Sequence, residues 1–170
     1  MDKYKILKGL PGEGHILKQF SYGSKNTYSE GFIIQFFPSN GKSWVGNFQS
    51  GMSSFSQVLC HFYREEVVTV ISKGQIYIVD INKKEQIKTF STATRFTFTI
   101  PDRNLLILVE FNALIAINGV DVLWRYKIEN CDGIRDLNVS HNMLTGEWCR
   151  VPDDVWEIFH IDIDTGKSNL

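Results

Sequence analysis

Four strand–turn–strand units recur along this chain, and they constrain its fold more than any other feature. They read FIIQFFPSNGKSWVGNF, IYIVDINKKEQIKTF, LIAINGVDVLWRYKI and IFHIDIDTGKSNL. In each, an apolar run ends, a short polar turn follows, and a second run begins. Phe37, Asp80, Asn118 and Asp162 fall at equivalent places, spaced 43, 38 and 44 residues apart. The segments between them also align. VLCHFYREEVVTVISKGQIYIVD lies over FTFTIPDRNLLILVEFNALIAING, and LNVSHNMLTGEWCRVPDDVWEIFHIDID is a slightly longer third copy.

A self-similar period of about 40–45 residues is that of a four-stranded propeller blade. The residues suit it. Gly31–Phe37, Val67–Ser72, Gln75–Ile81, Phe96–Ile100, Leu105–Phe111, Ala113–Asn118 and Val155–Ile163 are rich in Val, Ile, Phe and Tyr, which fit pleated, half-buried surfaces. Several are continuously apolar, as strands covered on both faces must be. Ser54–Tyr63 shows a competing signal. Phe55, Val58, Leu59 and Phe62 have helical spacing, with Ser54 and Gln57 as a capping box. The repeat places Ser56–Phe62 on a strand, and tertiary context overrides local periodicity. The fold class expected is therefore all-β: an open half β-propeller-like arc of about three to four antiparallel blades. Residues 1–170 are read as a single domain, with residues 31–170 forming the repeats. Residues 1–30 are left to pair at an open end or to cap a sheet edge.

Chemistry-bearing motifs are few. Gly41-Lys42-Ser43 and Gly166-Lys167-Ser168 sit in equivalent turns. A P-loop, G-x-x-x-x-G-K-[ST], requires glycine where Phe36 and Ile161 stand, so both triplets read as hairpin turns. Asp162-x-Asp164-x-Gly166 imitates the opening of a calcium loop without its later ligands. Cys60 and His61 are adjacent, and adjacent strand residues point to opposite faces. Cys60, Cys131 and Cys149 form no CxxC pair, which fits a reducing compartment. The opening MDKYKILKGL lacks the apolar core of a signal peptide. A cytoplasmic protein is expected, with no metal, no cofactor, no membrane association and no catalytic constellation. Glu65-Glu66 and Asp153-Asp154 are paired only in sequence and suit solvated turns.

The charge distribution is uneven. Residues 1–85 hold 10 Lys/Arg against 7 Asp/Glu, and residues 86–170 hold 8 against 12. Late in the chain Glu129, Asp132, Asp136, Glu147, Asp153, Asp154, Glu157, Asp162 and Asp164 face only Arg135 and Arg150. Such a field attracts a basic partner and repels nucleic acid. Trp148, Trp156, Phe159 and Tyr126 accompany the carboxylates, and Trp and Tyr are common interface anchors. The candidate partner-binding residues are Glu129, Asp132, Asp136, Glu147, Trp148, Asp153, Asp154, Trp156 and Glu157.

IYIVDINKKEQIKTF and ALIAINGVDVLWRYKI resemble the strand–turn–strand signature of quinoprotein-like and WD-type propellers, over about residues 31–170. Asp162-Ile-Asp-Thr-Gly-Lys and Gly119–Trp124 echo the quinoprotein A-x-D-x-x-T-G-x-x-x-W pattern in two different repeats. In size, truncated blade count and acidity, the chain is also similar to immunity proteins of bacterial contact-dependent growth inhibition systems. That resemblance implies a cytosolic toxin inhibitor. It would bind a rival's toxin domain, often a basic ribonuclease, one-to-one and cover its active site. The alternative is a lectin-like or scaffold β domain that binds a glycan or peptide through exposed aromatics.

Overall fold

The computed structural model describes residues 2–12, 16–22, 29–60 and 64–168. It is nearly all β. The first sheet contains β1 (Tyr4–Leu7), β2 (Ile16–Phe20), β3 (Phe32–Phe36) and β4 (Trp44–Phe48), in the order β1-β3-β4-β2. The second runs β5 (Gln57–Cys60), β6 (Val67–Ser72), β7 (Gln75–Asp80), β8 (Glu85–Phe90) in sequence order. The third does the same with β9 (Phe96–Ile100), β10 (Leu105–Val109), β11 (Ala113–Asn118) and β12 (Asp121–Lys127). The fourth holds β13 (Cys131–Ser140), β14 (Met143–Arg150) and β15 (Val155–Asp162). Among the described residues the one helical turn is 3-10, at Pro101–Arg103. No helix there is long and apolar enough to cross a membrane.

The repeat positions mark structural positions. Asp80, Asn118 and Asp162 each close a strand (β7, β11, β15), and Phe37 follows β3 directly. Strand, not helix, forms at Gln57–Cys60, where Val58 is buried; residues 61–63 lie outside the described residues. Both β6 and β7 are buried along their whole length, polar Thr69, Ser72, Gln75 and Asp80 included, and so is the continuously apolar β10, as expected of strands covered on both faces. The GKS triplets form turns, with Gly41 at φ +135° and Gly166 at φ +68°. These are backbone conformations that glycine adopts without a Cβ penalty.

The N-terminal residues complete the first sheet. β1 pairs antiparallel with β3 (Tyr4↔Phe36 to Leu7↔Ile33). β2 pairs parallel with β4 (Ile16↔Trp44 to Phe20↔Phe48). The β3–β4 hairpin is thus flanked on both sides by strands from residues 1–30. Buried Asn47 helps fix this arrangement. Its Nδ2 donates to Gln19 Oε1 (2.8 Å) and Ser29 O (3.0 Å), and its Oδ1 accepts from the Gly31 amide (2.8 Å).

The chain divides into two compact units, residues 1–93 and 94–170. Each holds two sheets with a core between them. In the first, Phe20, Ile34, Phe36, Trp44 and Phe48 meet Val68, Val70, Tyr77 and Val79. Phe20 stacks on Phe48 at 4.6 Å, and Phe36 lies 4.7 Å from Trp44. In the second, Ile107, Leu114, Ala116 and Trp124 meet Ile134, Leu144, Phe159 and Ile161.

An indole clasps the two sheets of each unit. Trp44 on β4 donates its Nε1–H to Ile81 O at 2.8 Å, and Trp124 on β12 donates to Ile163 O at 2.6 Å. Donors and acceptors are repeat-equivalent, since Ile81 follows Asp80 and Ile163 follows Asp162. The acceptor's turn is also shaped for the indole. A Cβ on Gly166 would lie 2.5–2.7 Å from Trp124 atoms. Losing a donor to a buried carbonyl costs about 1–3 kcal/mol. Trp44→Phe is therefore expected to lower the urea-unfolding free energy by about that much. A change within about 0.5 kcal/mol, the range of a neutral surface substitution, would show that the bond is dispensable. Gly166→Ala is expected to cost at least as much, through its positive φ and the displaced Trp124 ring.

Candidate protein-binding surface

The fourth sheet carries most of the residues singled out in the sequence, and its strand alternation sorts them. On β14 and β15, Leu144, Phe159 and Ile161 point into the core, with Trp148 packed against it. Residues one position away face outward. Trp156 is 39% exposed and Ile158 is 59% exposed. The four aromatics therefore separate. Phe159 is fully buried, and Tyr126 and Trp148 lie against the core. Trp156 alone is presented to solvent.

Trp156 is held in place. The Arg135 guanidinium stacks on its ring at 3.7 Å. Arg135 in turn reaches Glu147 Oε2 through Nε (2.9 Å) and a terminal nitrogen (2.7 Å). Pairing makes this natural, because Arg135 and Glu147 are directly opposite across β13–β14. Asp136 adds a second carboxylate, 3.3 Å from Arg135. A second guanidinium, Arg95, stacks on exposed Phe111 at 4.2 Å. Gly133 lies between the two stacks, where a Cβ would be 3.6 Å from both Arg95 and Trp156. The result is a run of exposed aromatic and guanidinium planes along the sheet.

The carboxylates divide into three groups. Asp136 and Glu147 share Arg135, while Asp153 (3.2 Å) and Glu157 (2.5 Å) share Arg150. Glu129 pairs with Lys127 at 2.9 Å. Asp132 and Asp154 are exposed and make no ion pair among the described residues. Strand pairing gathers Glu129, Asp132, Asp153 and Asp154 at one end of the sheet, where β13 begins and the β14–β15 turn lies. Val151 N donates to Asn130 O at 2.8 Å and ties those two turns together. Each arginine neutralises only one of its two acids. Exposed pairs of this kind add little stability, and the sheet stays negative.

At the opposite end, Asp162 and Asp164 spend their oxygens locally. Asp162 Oδ1 accepts from Thr165 N (2.9 Å) and Oγ1 (2.8 Å), and its Oδ2 accepts from Asn142 (2.9 Å). Asp164 pairs with Arg103 at 2.6 Å and accepts from Asn142 at 3.0 Å. The calcium-like spelling is turn chemistry. Among the described residues no group of three His, Cys, Asp or Glu side chains could hold a metal; His15 and His61 lie outside them. Burial pushes the Cys60 and Cys131 thiols up, which leaves them protonated and poorly nucleophilic at neutral pH.

Ile158, Arg95 and Phe111 were not among the sequence candidates. The alternation in Val155–Asp162 could have found Ile158, because inward Phe159 and Ile161 force Trp156 and Ile158 outward. Arg95 and Phe111 had no comparable signal.

No family model and no curated protein matches the chain. Among solved structures it is similar to Saccharomyces cerevisiae Sqt1, at 7% identity and TM-score 0.49, covering 85% of this chain and 45% of that one. It is also similar to BamB from Moraxella catarrhalis, at 11% identity and TM-score 0.45, covering 92% and 49%. The chain spans less than half the length of either. Its class is defined by its own sheets: an all-β chain of repeated, blade-like antiparallel units.

Thr165 and Asn142 hold the Asp162 carboxyl below the usual carboxylate range. A lowered folded-state pKa contributes stability above the unfolded value of about 4, and that stability is lost as pH falls through the folded value. Asp162→Asn is thus expected to be less stable than the parent at neutral pH and to converge with it in acid. Parallel melting curves across that range would show a constant gap if Asp162 did not titrate with folding.

Proposed function

We propose that this chain is a protein-binding module that acts as an immunity protein: it binds a basic toxin domain one-to-one and covers its active site. One observation supports this reading most: an ordered, exposed Trp156–Ile158 patch on a sheet that remains strongly acidic. Residues 129–164 carry nine Asp/Glu against two Arg. Opposite charges at short range do not cancel the field that an approaching partner feels within about 8–10 Å, the screening length at physiological salt. Negative potential raises the association rate of a cationic partner, and a buried aromatic anchor then slows dissociation. Arg135 fixes the Trp156 ring before binding, so little side-chain entropy remains to be lost.

The mechanism is occlusion and requires no catalytic residue. The carboxylates would stand where RNA phosphates otherwise meet the toxin's Lys and Arg side chains. Cytoplasmic residence follows from the same reading, since the toxin acts there.

The test is binding to the domain encoded immediately upstream, followed by two variants. Asp132→Lys with Asp154→Asn changes the two carboxylates that make no ion pair among the described residues, and Asn keeps the left-handed backbone of Asp154 (φ +52°). It is expected to lower the association rate and flatten its salt dependence. Trp156→Ala is expected to raise the dissociation rate, with a loss of about 2 kcal/mol or more, as at other interface hot spots. Absence of any complex with the upstream product, in a chain that is folded, would overturn the reading. Saturable binding on a glycan array that Trp156→Ala abolishes would replace it with the lectin-like one.

A further inference from the structure

Two exposed guanidinium planes lie side by side in the unit formed by residues 94–170. Arg135 sets one face on the Trp156 ring, 3.7 Å from its centroid. Arg95 does the same on Phe111, at 4.2 Å. Distant stretches of chain meet here: Arg95 precedes β9, Phe111 lies in the β10–β11 turn, Arg135 is on β13 and Trp156 is on β15. Cys131 ties two of them together, because its thiol lies 3.3 Å from both Phe111 O and Gly133 O. Gly133 lets the stacks adjoin, since a Cβ there would be 3.6 Å from Arg95 Nη1 and from Trp156 Cη2.

A guanidinium offers a ligand two things: the N–H groups in its plane and its flat faces. On Arg135 one edge of the plane is engaged. Nε and a terminal nitrogen reach Glu147 Oε2 at 2.9 and 2.7 Å, and Asp136 lies 3.3 Å from Nε. An anion arriving there would compete with both carboxylates inside a negative field. One face is taken by Trp156, while the side chain is 48% exposed, so the second face is open. Guanidinium faces are weakly hydrated, and an aromatic ring covers one at little desolvation cost. The negative face of the ring also meets a cation. We infer that the open face of Arg135 seats an aromatic side chain of a partner protein, completing a ring–guanidinium–ring sandwich over Trp156. The Arg95–Phe111 stack borders this seat across Gly133. Lys or Arg beside the partner's ring would meet Asp132, Asp136 and Glu147. This seat rests on the protein-binding reading for its class of partner, but it is tested without one.

The probes are two capped peptides of equal charge, acetyl-Lys-Lys-Trp-Lys-Lys-amide and acetyl-Lys-Lys-Leu-Lys-Lys-amide, titrated into the isotope-labelled full chain. Both are drawn to the acidic sheet, so the ring alone separates them. The Trp peptide is expected to bind about threefold tighter or more, the size of an exposed cation–π contact. Its ring current is expected to move the Arg135 Nε–H signal upfield, which the Leu peptide does not do. Arg135→Lys keeps the charge and loses the plane. It is expected to bring the two peptides to equal affinity, with the fold unchanged, as for other exposed substitutions. Equal affinity in the parent chain would overturn the proposal, as would a preference for the Trp peptide undiminished in Arg135→Lys. Tighter binding of acetyl-Glu-Glu-Trp-Glu-Glu-amide would also overturn it, by making the guanidinium an anion site. An upstream toxin domain that binds Arg135→Lys as tightly as the parent would leave the immunity reading standing and remove this seat. Ring-selective peptide binding without toxin binding would do the reverse.

Discussion

Two indole hydrogen bonds hold the paired sheets in register, and much of the architecture depends on them. A β-sheet of three or four short strands cannot bury both faces alone, so each unit must fix two sheets against one core. Apolar packing drives that association but is non-directional. The Trp44–Ile81 and Trp124–Ile163 bonds add direction. Each joins the last antiparallel strand of one sheet to the turn that ends the third strand of the next. The corresponding place on β8 is Gln86–Ile87, both exposed, with no indole. The chain's two compact units part shortly after that strand, between Ala93 and Thr94. The clasp therefore recurs within each unit, and the repeat that separates them lacks it.

The same repeat gives the fourth sheet its character. β15 is built like β7 and β11, with an inward apolar row and an Asx-type turn at its end. Asp80 Oδ1 accepts from the Asn82 and Lys83 amides, as Asp162 Oδ1 accepts from Thr165. β8 and β12 pair along β7 and β11; beside β15, among the described residues, there is a bridge at Ile161↔Ser168. Neighbouring features agree in sign and place: a stacked Arg135–Trp156 pair, exposed Ile158, and a net negative sheet.

Much of this was legible in the sequence, and the remainder has identifiable physical causes. The strands at Val67–Ser72, Phe96–Ile100 and Ala113–Asn118 were readable to the residue, because apolar runs bounded by turn residues are local signals. The repeat decided Gln57–Cys60 correctly against a helical pattern, since equivalent positions share tertiary context. The pairing of β2 was not legible. A parallel strand is placed by distant partners, here Asn47 and Gln19, and leaves no local signature. Composition located the acidic region but not its internal structure. Whether Arg135 meets Asp136, Glu147 or Trp156 depends on cross-strand register, which is set by bulges between Cys131 and Asn138. Trp148 and Trp156 are separated by the same register: they lie on different strands, and opposite faces of the sheet receive them.

Residue-resolved amide hydrogen exchange on the full chain tests the central claim, that an indole bond clasps the two sheets of each unit. Trp44→Phe is expected to speed exchange across β3, β4, β6 and β7. Exchange across those strands unchanged from the parent would contradict the claim.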